Sequence, residues 1–220
     1  MKKLIKYQFV AYVALSLVFL VSCGQVSENQ NNTSDENVSQ TENTSSLKSD
    51  SPSEYIIKMA GEEKGKIVLN GSNIKFFVNG TEYQAKLKGE KRKYAVSSGD
   101  IVAEVKFKED AFKVRTPNGD LLWKIKLYDD KVKISDNEEN QNPYEIKSGD
   151  AEKAKVKKDD NEIGKIKLKL EDKLIEITSD SKSYTVDGKK ISLAYGVLLI
   201  DEIPDNLKYI IMSELLAKGK

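Results

Sequence analysis

The sequence predicts a mainly β fold. We expect an antiparallel meander that closes into a barrel (or a sandwich), with a buried hydrophobic C-terminal helix and a further short amphipathic helix. Three observations predict it. Short runs of alternating apolar and charged residues recur from residue 55 to about residue 186, a period typical of strands with one buried face. Asn-Gly and Asp-Gly dipeptides separate several runs, and the continuous apolar stretch LAYGVLLI follows at 193–200.

Composition excludes several kinds of chemistry. The 220 residues include 36 basic and 35 acidic side chains, no His and one Cys. This balance gives no global field that would attract nucleic acid, so we do not expect nucleic acid as a partner. A Ser-His-Asp triad is impossible without His, and one Cys cannot form an internal disulfide or a thiolate zinc site. We expect no catalytic residues, no metal site and no cofactor.

Residues 1–22 have the parts of an export signal peptide. A lysine-rich start precedes 13 residues at 9–21 that are apolar except for one Ser. This run fits a signal peptide and is too short to span a bilayer. Its end resembles the bacterial lipobox, and the resemblance implies that the Cys is acylated and becomes the first mature residue. The lipobox-like residues are Leu20, Val21, Ser22 and Cys23.

The lipobox resemblance implies a location and a first partner, the membrane. Each buried acyl methylene contributes about 0.8 kcal/mol, so two or three chains hold a protein durably on a bilayer. We therefore expect a lipid-anchored protein of the cell envelope, with its domain in the periplasm or on the surface. Gly24 rather than Asp follows Cys23, which in a Gram-negative cell predicts the outer membrane. The alternative is an ordinary signal peptide or anchor helix with a chance Cys.

Two further regions follow the signal peptide. Residues 23–54 contain the Cys and then a stretch rich in Ser, Asn, Gln, Thr and Glu. Such a composition cannot bury enough apolar surface to fold, so we expect a polar, disordered tether. Its net charge is −5, from one Lys and six acidic residues. Residues 55–220 are predicted to form the globular domain.

The strands predicted within this domain are separated by residues suited to tight turns. Glycine and asparagine readily supply the positive φ angles that two-residue hairpins need. The candidate turn dipeptides are Asn70-Gly71, Asn79-Gly80, Asn118-Gly119 and Asp187-Gly188. The clearest strands are 66–69, 74–78, 101–107, 124–127, 131–134, 165–168 and 174–177.

A weak internal repeat marks three of these strands. GKIVL at 65–69, WKIKL at 123–127 and GKIKL at 164–168 each precede a turn and another strand. Duplication and convergent hairpin chemistry explain the repeat about equally well. Three copies are too few for a full propeller.

Basic side chains are the candidate binding residues. Lysines that alternate with apolar residues usually form a solvated outer face, which also discourages association of sheet edges. The densest cluster is a candidate anion or lipid-headgroup patch, and ordinary surface charge is the alternative. The cluster comprises Lys88, Lys91, Arg92 and Lys93.

The C-terminal region changes to a helical pattern. The apolar stretch at 193–200 has no polar face, which predicts burial on all sides, as a helix or as a central strand. Pro204 ends this segment, and Asp205 or Asn206 is suited to cap a second helix over 207–217. The apolar residues of that helix recur at helical spacing.

The end of the domain resembles the tubby C-terminal-like superfamily, which includes the phospholipid scramblases and the LURP-one-related proteins. YTVDGK at 184–189, leading into LAYGVLLIDEI at 193–203, is similar to the closing strand and buried helix of that superfamily. The resemblance implies a closed antiparallel barrel threaded by a hydrophobic helix. No phosphoinositide-binding motif of the family matches this sequence, so no site residue is carried over.

Three functions remain open from the sequence. The first is a non-catalytic, lipid-anchored binding module for a lipid headgroup or an envelope protein. The second is a surface-displayed structural or host-interaction lipoprotein without a small ligand. The third and most remote is a hydrolase that uses carboxylates, because this chemistry does not require His.

Overall fold

The computed structural model describes residues 51–220. The predicted signal peptide, the lipobox-like residues Leu20, Val21, Ser22 and Cys23, and all but the last residues of the predicted tether lie outside the described residues.

Fourteen strands form one closed antiparallel barrel, in which each strand pairs with the next along the chain. β14 pairs with β1 and closes the barrel, so the prediction of a meander closing into a barrel is confirmed. β1 begins two residues before the predicted start of the domain. The strands are β1 (Ser53–Met59), β2 (Glu62–Asn70), β3 (Asn73–Val78), β4 (Thr81–Lys88), β5 (Lys91–Val96), β6 (Ile101–Phe107), β7 (Ala111–Arg115), β8 (Leu121–Leu127), β9 (Lys131–Ser135), β10 (Tyr144–Ser148), β11 (Lys153–Lys158), β12 (Asn161–Lys169), β13 (Leu174–Thr178) and β14 (Ser183–Asp187).

Side chains alternate between the barrel interior and its outer wall. In β3, Ile74, Phe76 and Val78 are buried, whereas Lys75 and Phe77 are exposed. Most other strands follow the same period of two because successive side chains point to opposite faces of a strand. The interior is therefore apolar, and the outer wall is rich in Lys and Glu.

Three of the four predicted turn dipeptides lie at hairpin turns, although at the first of them the turn residues are Gly71 and Ser72, because Asn70 still pairs with Asn73. Asn79 and Gly80 both have positive φ, 50° and 75°, as a two-residue type I′ turn requires. Gly71 and Gly119 also lie in the left-handed region, with φ of 56° and 99°. These turns hold neighbouring strands in register along the barrel.

The fourth dipeptide, Asp187-Gly188, does not form a hairpin turn, so that prediction is wrong. Gly188 lies outside the left-handed region, and its N–H donates a 2.7 Å hydrogen bond to the carbonyl of Lys173. A Cβ at this glycine would meet Ile175 Cδ1 at 2.8 Å. The chain leaves the sheet here and turns into the barrel.

The C-terminal segment fills the barrel interior. A 3₁₀ helix, Leu193–Leu199, has every residue buried and packs against β10–β13. The α-helix α1, Asp205–Ala217, packs against β2, β3 and the 3₁₀ helix. The predicted burial of LAYGVLLI in a helix is confirmed. Within residues 51–220 no helix is long and apolar enough to cross a membrane.

The second helix differs from its prediction in two ways. Pro204 occupies the N-cap position without a side-chain hydrogen bond, so neither Asp205 nor Asn206 caps the helix. Nor does α1 present a polar face along its length, because the barrel surrounds it. Leu207 to Leu215 are all buried, including the polar residues Lys208, Ser213 and Glu214.

Two glycines of the internal repeat lie where the inner helices meet the wall. A Cβ at Gly65 in β2 would meet the hydroxyl of Tyr209 on α1 at 2.3 Å. A Cβ at Gly164 in β12 would meet Leu199 Cδ1 of the 3₁₀ helix at 2.5 Å. The third copy carries the larger Trp123 at this position. The repeat therefore has a structural meaning: glycine stands where a helix must approach closely.

Candidate functional site

Five lysines stand side by side on the outer wall of β4–β8, and we call them the lysine row. Each lies directly opposite the next one across a strand pair. Neighbouring strands are about 4.8 Å apart, so the five positions extend over about 19 Å. Like charges placed directly opposite destabilise a sheet, which makes the arrangement notable. The lysine row consists of Lys88, Lys91, Lys106, Lys113 and Lys124.

The lysine row runs into a groove on the outer wall of β5–β8. Its volume is about 560 Å³. Seven basic and two acidic side chains line it, so the groove carries a strong positive charge although the whole chain is nearly neutral. The charged lining residues are Lys91, Lys106, Lys108, Lys113, Arg115, Lys124, Lys126, Glu90 and Asp110.

The loop between β9 and β10, residues 136–143, contacts the groove residues Lys113, Arg115 and Lys124 through Glu138. Ser135 at the end of β9 is buried beneath this loop, and its hydroxyl lies 3.2 Å from the Asn137 carbonyl and 3.1 Å from Asn140 Oδ1. The side chain of Asn137 also ties both ends of the loop, since its Oδ1 accepts a 2.7 Å hydrogen bond from the Gln141 N–H. These bonds direct Glu138 towards β7 and β8.

Glu138 places a carboxylate among the groove lysines. Its oxygens lie 2.5 Å from Lys113 Nζ and 2.8 Å from an Arg115 guanidinium nitrogen, and its backbone carbonyl accepts from Lys124. The hydrogen bond from Lys113, and after it that from Arg115, lower the pKa of the Glu138 carboxyl. The carboxylate is therefore ionised, and its contacts mark a position where the groove holds an anion.

Three other groove lysines have no such compensation. Lys106, Lys108 and Lys126 make no ion pair with any residue in 51–220. Lys91 lies 3.2 Å from Glu104, an acid that also faces Lys93 at 3.9 Å. The positive charge of the groove is thus concentrated around β6 and the end of β8.

The positive charge of a second row of lysines, on β9–β12, is compensated by acidic side chains. Three of its four members each have an acidic partner, at 3.5 Å, 3.7 Å and 2.7 Å respectively. The wall there is a network of exposed ion pairs, not a concentration of one charge. The second row consists of Lys131, Lys147, Lys155 and Lys165, and the partners are Glu145, Asp130 and Glu162.

The structure divides the basic cluster predicted from the sequence. Lys88 and Lys91 belong to the lysine row, and Lys93 lies on the same outer wall. Arg92 is not on that surface: it faces the interior, is buried, and pairs with Glu214 of α1 at 2.5 Å. The alternation of KRKYAV could have located it, since it puts Arg92 in phase with the buried Tyr94.

Sequence reasoning missed Lys106, Lys113, Lys124 and Glu138 as groove residues. The period of two shows that the three lysines point outwards, but their alignment depends on the register of β5–β8. Nothing in the local sequence indicates that the loop after β9 carries Glu138 back across β8.

Two smaller concavities lie beside β9–β11. The larger one, about 230 Å³, includes Glu145, which is held by Lys131 at 3.5 Å and Lys133 at 3.6 Å. The other, about 160 Å³, is lined by Trp123 and Tyr144. Burial, and after it the nearby Glu202 carboxylate, raise the pKa of Tyr144, so its hydroxyl stays protonated. Among residues 51–220, no three His, Cys, Asp or Glu side chains converge as metal ligands would.

Comparison of the chain with protein-family models, curated proteins and solved structures found no match. The interpretation of the groove therefore depends on the chain's own residues.

Proposed function

We propose that this chain is a lipid-anchored, non-catalytic binding protein of the cell envelope, and that its barrel binds an anionic ligand in the groove. The observation that carries the proposal is the groove itself: seven basic and two acidic side chains around about 560 Å³. Volumes of this size are typical of ligand sites, which bury most of a small ligand.

The anchoring part of the proposal rests on Cys23. It is the only Cys of the chain, and it stands directly after Leu20-Val21-Ser22 at the end of the apolar run. Acylation there would attach the protein to a membrane, and the polar segment up to residue 52 would separate the barrel from the bilayer surface.

The binding part rests on the electrostatics of the groove. Lys106, Lys108 and Lys126 bring three ammonium groups without an ion pair in residues 51–220. An anion that binds among them gains charge-assisted hydrogen bonds, which are about twice as strong as neutral ones. Its binding would also reduce repulsion within the lysine row.

A catalytic role is not part of the proposal. Two acidic side chains near the concavities are engaged in ion pairs. Glu138 pairs with Lys113, and Glu145 pairs with Lys133. An acid held in this way is poorly placed to accept a proton from a substrate, because its basic partners stabilise the ionised form.

Membership of the tubby C-terminal-like superfamily is also a proposal. What supports it is the architecture: a closed antiparallel barrel whose interior holds a hydrophobic C-terminal segment. The likeness of the fold alone does not specify a ligand.

Anchoring is tested on the full-length protein. The chain is expressed in a bacterium that acylates lipoproteins, and the N-terminal peptide of the mature protein is analysed by mass spectrometry. We expect cleavage before Cys23 and the added mass of two or three acyl chains. In a Cys23→Ser variant we expect no acyl mass. An unmodified Cys23 in the wild-type protein would overturn this part of the proposal.

Ligand binding is tested on the mature protein in non-ionic detergent, by titration calorimetry with pyrophosphate. We expect pyrophosphate to bind, and to bind more weakly in Lys106→Gln and Lys126→Gln. Lys147→Gln and Lys165→Gln remove charge from the second row and are the controls, in which we expect unchanged binding. Absence of binding, or equal loss in all four variants, would overturn the groove as a site. The surface-displayed lipoprotein would then be the preferred function.

A further inference from the structure

We infer that the groove binds a linear polymer of phosphate groups that lies across β4–β8 along the lysine row. This inference rests on the proposed anion-binding function and names the chemical class of its ligand. Three features of the groove lead to it: the length of the row, the predominance of Lys over Arg, and the concave shape of the surface.

The length of the row exceeds the size of a single anion. Five strands at about 4.8 Å spacing place Lys88 about 19 Å from Lys124, and the register makes each lysine the direct neighbour of the next. A compact anion contacts one or two of these side chains. Only an extended anion running perpendicular to the strands contacts four or five at once.

The basic residues of the groove are of the type that binds phosphate as a point charge. Lys is a compact charge with three donors, whereas the planar guanidinium of Arg matches carboxylate and phosphate alike in a bidentate manner. Six of the seven basic lining residues are Lys. The one Arg, Arg115, already donates to Glu138 at 2.8 Å and to the Gly119 carbonyl at 2.7 Å. The donors that remain suit tetrahedral oxyanions.

The shape of the surface favours a chain over a membrane. Lys113 and Arg115 each have only 19% of the side chain exposed, and both pair with Glu138 of the loop 136–143. A flat array of lipid headgroups reaches the exposed Lys88 and Lys91 but not the floor of the groove. A flexible polymer follows the concavity and also reaches Lys106, Lys113 and Lys124.

Repulsion within the lysine row also predicts that the affinity for a polymer rises with its length. Opposed like charges on neighbouring strands repel one another, and each phosphate that bridges two lysines replaces one repulsive pair by two attractive contacts. A longer chain removes more of these repulsive pairs. Each single phosphate, in contrast, loses its own translational freedom when it binds.

The test uses the mature protein in detergent and a series of anions at equal total phosphate: orthophosphate, tripolyphosphate, long-chain polyphosphate and poly(glycerol phosphate). We expect the affinity to rise with chain length. The last two probes distinguish an inorganic phosphate chain from a phosphodiester polymer. Poly-glutamate of similar length and vesicles of phosphatidylcholine and phosphatidylglycerol in equal amounts are the comparison ligands, and we expect both to bind more weakly.

Salt dependence measures how many lysines make contact. Each phosphate contact contributes about −0.7 to −0.9 to the slope of log K against log salt concentration. We expect a total slope near −3 or steeper for the polymer, and a slope shallower by about 1 in Lys106→Gln. We also expect Lys106→Gln to lower the affinity by about three- to fivefold, as for an exposed ion pair. Lys165→Gln is the matched control, with no change expected.

The possible results separate this inference from the proposed function. If no anion of any length binds, both are wrong. If orthophosphate and polyphosphate bind equally well, or if poly-glutamate or vesicles bind as tightly as the phosphate polymers, the groove is an anion site but the inference of a linear phosphate polymer is overturned. A polymer slope that is identical in Lys106→Gln and wild type overturns the inference as well.

Discussion

Arg92 of the barrel wall and Glu214 of the inner helix form a buried ion pair, 2.5 Å apart, across 122 residues of sequence. The hydroxyl of Tyr94 donates a second hydrogen bond to Glu214, at 2.7 Å. All three side chains are buried. This pair joins α1 to β5 and fixes the depth at which the helix lies in the barrel, because a shift of one turn would leave two charges without partners.

The first prediction concerns this pair. Arg92→Met keeps the aliphatic part of the side chain but leaves the Glu214 carboxylate without its cation. We expect a loss of about 3–5 kcal/mol in the free energy of unfolding, since breaking a buried pair costs more than the pair contributes. Denaturant unfolding, followed by the fluorescence of the single Trp123, measures it. The double variant Arg92→Met, Glu214→Gln should recover much of the loss, and failure to recover would contradict the mechanism.

The second prediction is the pH dependence of the same variant. Burial is the main influence on Glu214 and raises its pKa, while Arg92 and Tyr94 lower it in part. Removal of Arg92 leaves burial less opposed, so the pKa rises further in the folded state. A carboxyl whose folded pKa is raised contributes stability below its unfolded pKa and loses it as the pH rises through the folded pKa.

The cost of Arg92→Met should therefore be smaller near the unfolded pKa of Glu, about 4.3, than at neutral pH. The measurement is a series of unfolding curves of wild type and variant at several pH values. The double variant with Glu214→Gln is the control and should show no such trend. A cost that is constant with pH would contradict the prediction that Glu214 changes its protonation in the variant over this range.

The ion pair also shows which part of the fold could be predicted. Alternation in KRKYAV assigns Arg92 to the inner face, but the helical spacing of 207–217 predicts an amphipathic helix and does not indicate that Glu214 is buried. What the sequence does not contain is the distance between them, because strands β6–β14 separate the two residues along the chain. Local patterns thus predicted the strands, the hairpins and the buried helix. The pairing of charges across the core depends on how the barrel closes.

The same limit applies to the groove. Lys106 and Lys113 can be assigned to the outer face from their own strands. Their position directly opposite each other depends on the length of the turn between β6 and β7, and one residue more or fewer would change the partner of every side chain. The cluster Lys88, Lys91 and Lys93 was found because it is local in sequence. Its continuation onto three further strands was not.

The third prediction concerns the repeat glycine Gly65. An added Cβ would lie 2.3 Å from the Tyr209 hydroxyl and 2.5 Å from the Phe77 carbonyl, and the carbonyl belongs to the sheet and cannot move aside cheaply. We expect Gly65→Ala to destabilise the barrel by about 1–3 kcal/mol, as overpacking of a core does. Thermal unfolding measures this.

The matched control for Gly65 is Gly149→Ala. There the nearest atom to an added Cβ is the Lys153 carbonyl at 3.5 Å, an ordinary contact. We expect no loss, or a slight gain from the stiffer unfolded chain. Equal stability of both alanine variants would mean that α1 does not approach the wall at Gly65 as closely as described.

The fourth prediction concerns Glu138, the carboxylate that pairs with the groove residues Lys113 and Arg115. Glu138→Gln keeps the size of the side chain and removes its charge from Lys113 and Arg115. We expect pyrophosphate and polyphosphate to bind about two- to fivefold more tightly, the range expected of a partly exposed ion pair. Glu139→Gln, one residue further along the same loop, removes an equal charge away from the lysines and is the control. Unchanged or weaker binding in Glu138→Gln would indicate that the loop, not its charge, shapes the site.

The last prediction tests the repulsion within the lysine row without any ligand. Lys106 lies opposite Lys91 on one side and Lys113 on the other, so Lys106→Glu converts two repulsive pairs into two attractive ones. We expect the variant to be more stable than wild type at low salt, by about 0.2–1 kcal/mol for each pair. The difference should disappear near 1 M salt, where charges are screened beyond about 3 Å.

Thermal unfolding of wild type and Lys106→Glu across a salt series measures this difference. The sign of the stability change in Lys106→Glu distinguishes a binding surface from a surface that serves only folding. In the second row, three of the four lysines have an acidic partner, whereas Lys88 and Lys106 of the lysine row have none among residues 51–220. A gain of stability in Lys106→Glu, together with loss of anion binding, would mean that the row keeps a repulsion that only a ligand relieves. A variant that is less stable than wild type at low salt would contradict this explanation.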